Sequence, residues 1–285
     1  MKKLLEEDLI SDFSNIGISH GDTILVRASL GAVGRMEKKA ETFINALLKT
    51  IGTDGTLISL AFTSGSFFRK PKKDDAFHLG KRSYAGALPN AMLNRDDSFR
   101  SKHPMCSFVA IGKNAEEIIS GHNESSSSYE PVRKVLDLDG KCILVGCVGS
   151  SPGFTTTHLA EYDLGHSTKL PVFPWLYSTY YIDDSGKHKI FRRDDLGLCS
   201  NSFNKFYSIY VQNEILKANY IGNAYSVLVP AQKAYELENI ELSKNKKFNV
   251  CKSKLCFMCN GGRWDRAYLL PLFVCRRLMK KYLYS

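Results

Sequence analysis

Apolar positions along this chain recur with two periods. Leu4, Leu5, Leu9, Ile10 and Phe13 fall at helical spacing and predict a helix over residues 3–17. Residues 23–26 form a short apolar run after Gly21-Asp22, which predicts a buried strand. A turn of small residues over 28–34 leads to a helical pattern over 37–50 and a second strand over 55–60. Strand, glycine-containing turn, helix, strand is a βαβ unit, so these two strands are expected to pair in parallel within an α/β protein. Further strands are expected over 106–111, 141–146 and 225–229, with helices over 114–119 and 231–240. Residues 172–190 read as a hairpin turning at 183–186, and 125–128 as a polar turn. Between Ser64 and His103 the period is lost, which predicts a long irregular loop of the kind that binds substrate.

With 44% apolar and 24% charged residues among 285, the chain can build a packed core. Its longest clean apolar run, 269–275, is far short of the roughly 18–20 residues of a spanning helix. Glu6, Glu7 and Asp8 stand where a signal peptide would be apolar, so the N-terminus reads as an amphipathic helix of a cytosolic protein. The net charge of +10 is uneven: residues 241–285 hold 11 basic and 2 acidic side chains, the first 240 hold 28 and 27. A nucleic-acid surface would spread this excess further, so no nucleic-acid partner is expected. Two units are expected instead, a catalytic domain over 1–240 and a basic, cysteine-containing extension over 241–285. The end of that extension reads either as a basic amphipathic helix on an anionic membrane or as a helix packed on the domain or a partner subunit, with Pro271 tolerated only in its first turn. Cys106, Cys142, Cys147 and Cys199 are scattered and read as buried thiols. Cys251 and the Cys256-Phe-Met-Cys259 pair lie in the extension, either as plain thiols or as part of a zinc site.

Three segments carry candidate chemistry. The first is Arg27-Ala-Ser-Leu-Gly-Ala-Val-Gly34, whose small residues let backbone approach a ligand; it matches neither the dinucleotide nor the P-loop pattern. A ligand-free βα turn has the same composition. The second is Arg100-Ser-Lys-His-Pro104 with Ser107, which offers cations, hydroxyls and an imidazole to a phosphate, or forms a polar loop. The third is Thr155-Thr-Thr-His-Leu-Ala-Glu161. Here His158 and Glu161 stand one helical turn apart, and a carboxylate beside an imidazole fixes its tautomer for base catalysis. The alternative is a capped helix with a surface ion pair. HExxH, HxxEH and GxSxG patterns are absent, which argues against zinc-hydrolase and serine-hydrolase chemistry.

These segments, in this order and together with Gly55-Thr-Leu through Phe62-Thr63 and Ile221-Gly-Asn-Ala224, resemble the aminoglycoside 3-N-acetyltransferase family, also called the antibiotic N-acetyltransferase family. The likeness runs over about residues 5–240. It implies an antibiotic N-acetyltransferase-like α/β fold with a mixed central sheet flanked by helices, distinct from the GNAT fold. It implies acetyl-CoA as donor, a primary amine of an amino sugar as acceptor, and no metal in catalysis. Ser29, Leu30 and Val33 would line the CoA path, with Arg100, Ser101, His103 and Ser107 completing it. His158 and Glu161 would be the catalytic pair, and Thr156 or Thr157 would bond near the thioester.

The sequence departs from the family at Ser127-Ser-Tyr-Glu-Pro131, where members usually carry Gly-x-x-Ser-Pro. The 63–104 stretch is also rich in Lys and Arg. On charge alone the expected acceptor is anionic, a nucleotide- or lipid-linked amino sugar of surface-polysaccharide assembly. The alternative is a polycationic aminoglycoside, whose acetylation confers antibiotic resistance.

Overall fold

The computed structural model describes residues 3–67, 69–167, 177–197, 199–253, 256, 258–259, 268 and 270–283. The chain opens with α1 (Glu6–Ile16), which buries Leu9, Phe13 and Ile16. Then come β1 (Thr23–Ala28), a one-turn helix α2 (Leu30–Val33), α3 (Ala40–Ile51) and β2 (Thr56–Leu60). As the βαβ pattern predicts, β1 and β2 pair in parallel, with Thr23 opposite Thr56. The next stretch corrects an expectation. In place of one irregular loop it contains β3 (Ser66–Phe67), α4 (Ala87–Leu93) and β4 (Ser98–Arg100). These elements are too short to show a period: α4 buries only Leu88, Pro89 and Met92.

The chain continues through β5 (Phe108–Gly112), α5 (Ala115–Ile119), α6 (Glu130–Asp137), β6 (Lys141–Val145) and α7 (Thr156–Asp163). The hairpin β7 (Tyr177–Ile182) and β8 (His188–Arg192) follows; the predicted residues before Tyr177 lie outside the described ones. Last come α8 (Lys205–Gln212), β9 (Lys217–Ile221), β10 (Ala224–Pro230), α9 (Ala231–Lys244) and α10 (Leu270–Leu283). Pro271 sits in the first turn of α10, where a missing N–H costs nothing. The turn expected at 260–265 lies outside the described residues.

Seven strands form one sheet in the order β4-β5-β2-β1-β6-β10-β9. Its centre, β2-β1-β6, is parallel, and its flanks are antiparallel. A second sheet joins β3, β7 and β8. The α/β class with a mixed central sheet flanked by helices is thus observed. Alternate residues of the central strands feed two cores. Ile24, Val26, Ile143 and Val145 pack with Phe13 of α1 and Phe43 and Leu47 of α3. Leu25, Cys142 and Leu144 pack with Val132 of α6, Leu159 of α7 and Ala234 of α9. Both faces of the sheet are therefore covered, and open surface is left at the strand ends. The border expected at 240/241 falls inside α9. Among the described residues no helix is long and apolar enough to cross a membrane. Leu272, Leu278 and Met279 of α10 are exposed.

Candidate active site

The candidate site lies beyond the C-terminal ends of β1 and β6, where loops leave the parallel core. Arg27, at the end of β1, ties the site together. Its guanidinium donates to the carbonyl of Gly153 at 2.8 Å and to the carbonyl and hydroxyl of Ser151. These contacts fix the loop that leads into α7. Gly153 adopts φ +78°, and a Cβ there would lie 2.1 Å from Phe203, so only glycine suits this turn. The 27–34 and 155–161 segments, far apart in sequence, are thereby joined.

His158 emerges from α7 into a cavity of about 430 Å³ that Arg27, Ala28, Ser59, Tyr129 and Thr155 also line. Its ring stacks on Tyr129 at 4.8 Å and meets the edge of Phe203 at 4.8 Å. Its Nδ1 lies 2.8 Å from Oε2 of Glu161, which is fully buried. The imidazole donates from Nδ1 to this carboxylate, so Nε2 carries the lone pair. The other carboxylate oxygen accepts a hydrogen bond from Nδ2 of Asn249 at 2.6 Å. Gly197 closes the remaining side: a Cβ there would stand 2.5 Å from His158 Nδ1 and 3.0 Å from Glu161 Oε2. The pair is thus held by two aromatic rings, one glycine and one amide.

The expected threonines divide. Thr155 lines the cavity. Thr156 and Thr157 are fully buried and donate to Oε1 of Glu238 at 2.9 and 2.7 Å, joined there by the Tyr210 hydroxyl. Burial pushes the Glu238 carboxyl up to about 8. Thr156, expected beside the thioester, instead turns its hydroxyl to Glu238 and does not line the cavity.

The Arg100 segment is built differently. Arg100 donates to the carbonyls of Ala61, Leu79 and Lys81 and to the Ser107 hydroxyl. The Ser101 hydroxyl bonds the Phe108 amide and His122 Nδ1. His103 accepts from the Met105 and Cys106 amides and stacks on His122 at 4.9 Å. Ser101, His103 and Ser107 are buried. Arg100 and Ser101 line a separate cavity of about 750 Å³ with His122, Glu124 and Asp184. The block braces β4 against β5 rather than facing His158.

Of the first segment, Ser29 is exposed, Leu30 half-buried and Val33 fully buried. Leu30, Gly31 and Gly34 line a cavity of about 510 Å³ together with Lys3, Arg35 and Lys39. The end of β1 thus lines the His158 cavity through Arg27 and Ala28, and the turn that follows it lines this one.

Sequence reasoning missed Tyr129, Phe203, Gly197, Asn249 and Glu238. Two of these carried a signal: Tyr129 lies in the 127–131 segment that departs from the family, and Glu238 lies on a helix face. Ala231, Ala234, Glu238 and Leu242 form the buried face of α9, and a carboxylate on an apolar face demands partners. The structure also brings Cys199, expected as an isolated thiol, beside Cys251, Cys256 and Cys259, with the four sulfurs within 4.8 Å of one another.

Comparison with known proteins agrees with this architecture. The sequence profile of the aminoglycoside 3-N-acetyltransferase family matches residues 25–240. Aminoglycoside N(3)-acetyltransferase III of Serratia marcescens is 30% identical over 175 residues, covering 54% of this chain and 63% of that protein. The enzyme of the same name from a Salmonella species is 31% identical over 163 residues, covering 51% and 56%. The chain thus spans little more than half the length of these relatives. Among solved structures, aminoglycoside acetyltransferase AAC(3)-IVa superposes with a TM-score of 0.74 at 22% identity, covering 93% of this chain and 98% of that one. AAC-IIIb in binary complex with CoASH gives 0.71 at 22% identity, covering 88% and 100%. With its profile matched over most of its length and its mixed sheet shared, the chain belongs to the aminoglycoside 3-N-acetyltransferase family.

Proposed function

We propose that the protein transfers an acetyl group from acetyl-CoA to a primary amine of an aminoglycoside-type amino sugar. The observation that carries this reading is the His158–Glu161 pair, with Nδ1 bound to the carboxylate and the ring open to the cavity. An ammonium cannot attack a carbonyl carbon, so a base must take its proton. Nε2 of His158 is that base, and Glu161 stabilises the imidazolium that forms. When bound, acetyl-CoA supplies a thioester whose sulfur is a good leaving group. Thr155 lines the cavity while its neighbours are engaged by Glu238, and its hydroxyl would serve as the donor to the thioester oxygen. The exposed Ser29 and the neighbouring Leu30 would hold the pantetheine arm at the turn after β1, and Lys3, Arg35 and Lys39 in the neighbouring cavity would hold the CoA phosphates. No metal takes part in these steps.

The relatives favour the aminoglycoside over the nucleotide- or lipid-linked acceptor. Several basic residues of the 63–104 stretch are also already engaged within the protein, which reduces their pull on an anionic acceptor. Arg95 is bound by Glu41 and Asp97, Lys81 by Asp75, Lys102 by Asp184, and Arg100 by three carbonyls. Within the cavity wall Arg193 is bound by Asp195 at 3.1 Å. Thiol release from acetyl-CoA over a panel of aminoglycosides and nucleotide-linked amino sugars tests the reading. Turnover with a deoxystreptamine drug is expected. Turnover only with nucleotide-linked sugars would move the acceptor assignment to the anionic class, and none with either would end the proposal.

A further inference from the structure

The cysteines of the extension and Cys199 meet at one point. Cys251 and Cys259 are buried, and Cys199 and Cys256 are half-buried. The Sγ of Cys199 lies 3.3 Å from that of Cys259 and 3.5 Å from that of Cys256, and none of the four cysteines is in a disulfide. A tetrahedral zinc at ~2.3 Å from each sulfur sets neighbouring sulfurs roughly 3.8 Å apart. The observed cluster is close to that spacing. It is also too wide for a disulfide, whose sulfurs stand about 2.05 Å apart. Four converging sulfurs with no carboxylate or imidazole among them are a soft donor set that selects zinc over magnesium or calcium.

The position of the cluster is as informative as its geometry. Cys199 follows two residues after Gly197, which abuts His158, and Cys251 follows two residues after Asn249, which holds Glu161. Lys205 steadies the second strip by donating to the carbonyls of Phe248 and Val250 at 2.8 and 3.1 Å. The two strips are 52 residues apart along the chain (Gly197 to Asn249), and their described residues lie outside helices and strands. A crosslink between them supplies the rigidity that secondary structure does not.

We propose that Cys199, Cys251, Cys256 and Cys259 bind one zinc ion as a structural tetrathiolate site that clamps Gly197 and Asn249 onto the His158–Glu161 pair. Binding would break four S–H bonds and form four Zn–S bonds, so that four thiols become thiolates and four protons pass to solvent, with no change of oxidation state. Zinc binding stands apart from the acetyl-transfer reading. The clamping of the pair rests on it, and Asn249 is in that sense a positioning residue.

Metal analysis of the full chain, purified without added metal or chelator, is expected to find about one zinc per chain. Mercurial titration should release that zinc in step with four thiols, and cobalt exchange should give the absorption of a tetrahedral thiolate site. Cys251→Ser and Cys256→Ser should lose the metal, while Cys275→Ser, at an exposed cysteine of α10 outside the cluster, should keep it. Asn249→Ala should keep the zinc and yet lower kcat roughly ten- to hundred-fold at unchanged KM for acetyl-CoA, the worth of one charge-assisted hydrogen bond. The nitrogen NMR signals of His158 should then show loss of the single Nδ1–H tautomer. Metal-free protein, bound iron, or disulfides among the four cysteines would overturn the metal site. An unchanged tautomer and kcat in zinc-loaded Asn249→Ala would overturn the clamp. If no acceptor is acetylated, zinc content and the tautomer signal still decide the proposal.

Discussion

Two histidines of this chain sit in sequence contexts that look alike and in surroundings that do not. His158 follows three threonines and precedes a glutamate; His103 follows an arginine, a serine and a lysine and precedes a proline. Each is flanked by hydroxyls and a charge. His158 keeps one ring nitrogen on a buried carboxylate and turns its ring to a cavity. His103 spends its Nδ1 on two backbone amides and its face on His122, and is itself 1% exposed. The difference teaches that polar residues at a loop are not a site until their hydrogen bonds have been counted. Those of the Arg100 segment are already consumed.

Substitutions can sharpen or break this contrast. The largest effect is expected for His158→Ala, with turnover down about 10²–10⁴-fold and cooperative unfolding retained. Unchanged thiol release would remove the imidazole from the chemistry. Gly197→Ala pushes a methyl into the same ring and is expected to cost roughly 10²-fold in turnover, since small misplacements of a reacting group are expensive. Steady-state kinetics on the folded variant would measure it, and an intact rate would mean the pair tolerates displacement.

His103→Ala should act on stability instead. It strands the Met105 and Cys106 amides in the core, at a cost of about 2–4 kcal/mol in denaturant unfolding, with KM for acetyl-CoA unaltered. A raised KM would return this segment to the ligand path. The same region predicts an acid sensitivity. Burial holds His103 well below the usual imidazole range and brings His122 down to about 4. Their folded pKa values are depressed, so the stability they allow is full above about 6.5 and falls as pH drops towards about 4, because the unfolded chain binds the protons first. Urea midpoints across that window should decline in native protein and decline less in His122→Gln. The smallest change is expected for Thr156→Val, which removes one of three hydroxyls from Glu238. A loss of about 1 kcal/mol with turnover near native would separate it from Thr155→Val, in which turnover falls.

The sheet was legible wherever strands were long and buried on both faces. Residues 23–28, 56–60 and 141–145 are nearly continuous apolar runs, and the helix between the first two carries a clear period. The segment before His103 was not legible, because α4 has seven residues and β3 two, fewer than a period needs. Edge strand β9 was missed for another reason: it exposes Lys217, Ala218 and Tyr220 and so reads as polar loop. At the candidate site, the pairing of His158 with Glu161 was readable because helix geometry alone puts i and i+3 on one face.

The amino-acid sequence by itself determined the parallel core, the helix that carries the dyad and the family to which the chain belongs, since each depends on local period or ordered motifs. Only the tertiary structure decided which polar residues face the cavity, that Arg27 anchors the loop before α7, and that Cys199 meets the cysteines of the extension. Those facts rest on contacts between segments up to 126 residues apart, as between Arg27 and Gly153. No local pattern encodes such a contact: it is set by how the sheet closes and which hydrogen bonds the core must satisfy.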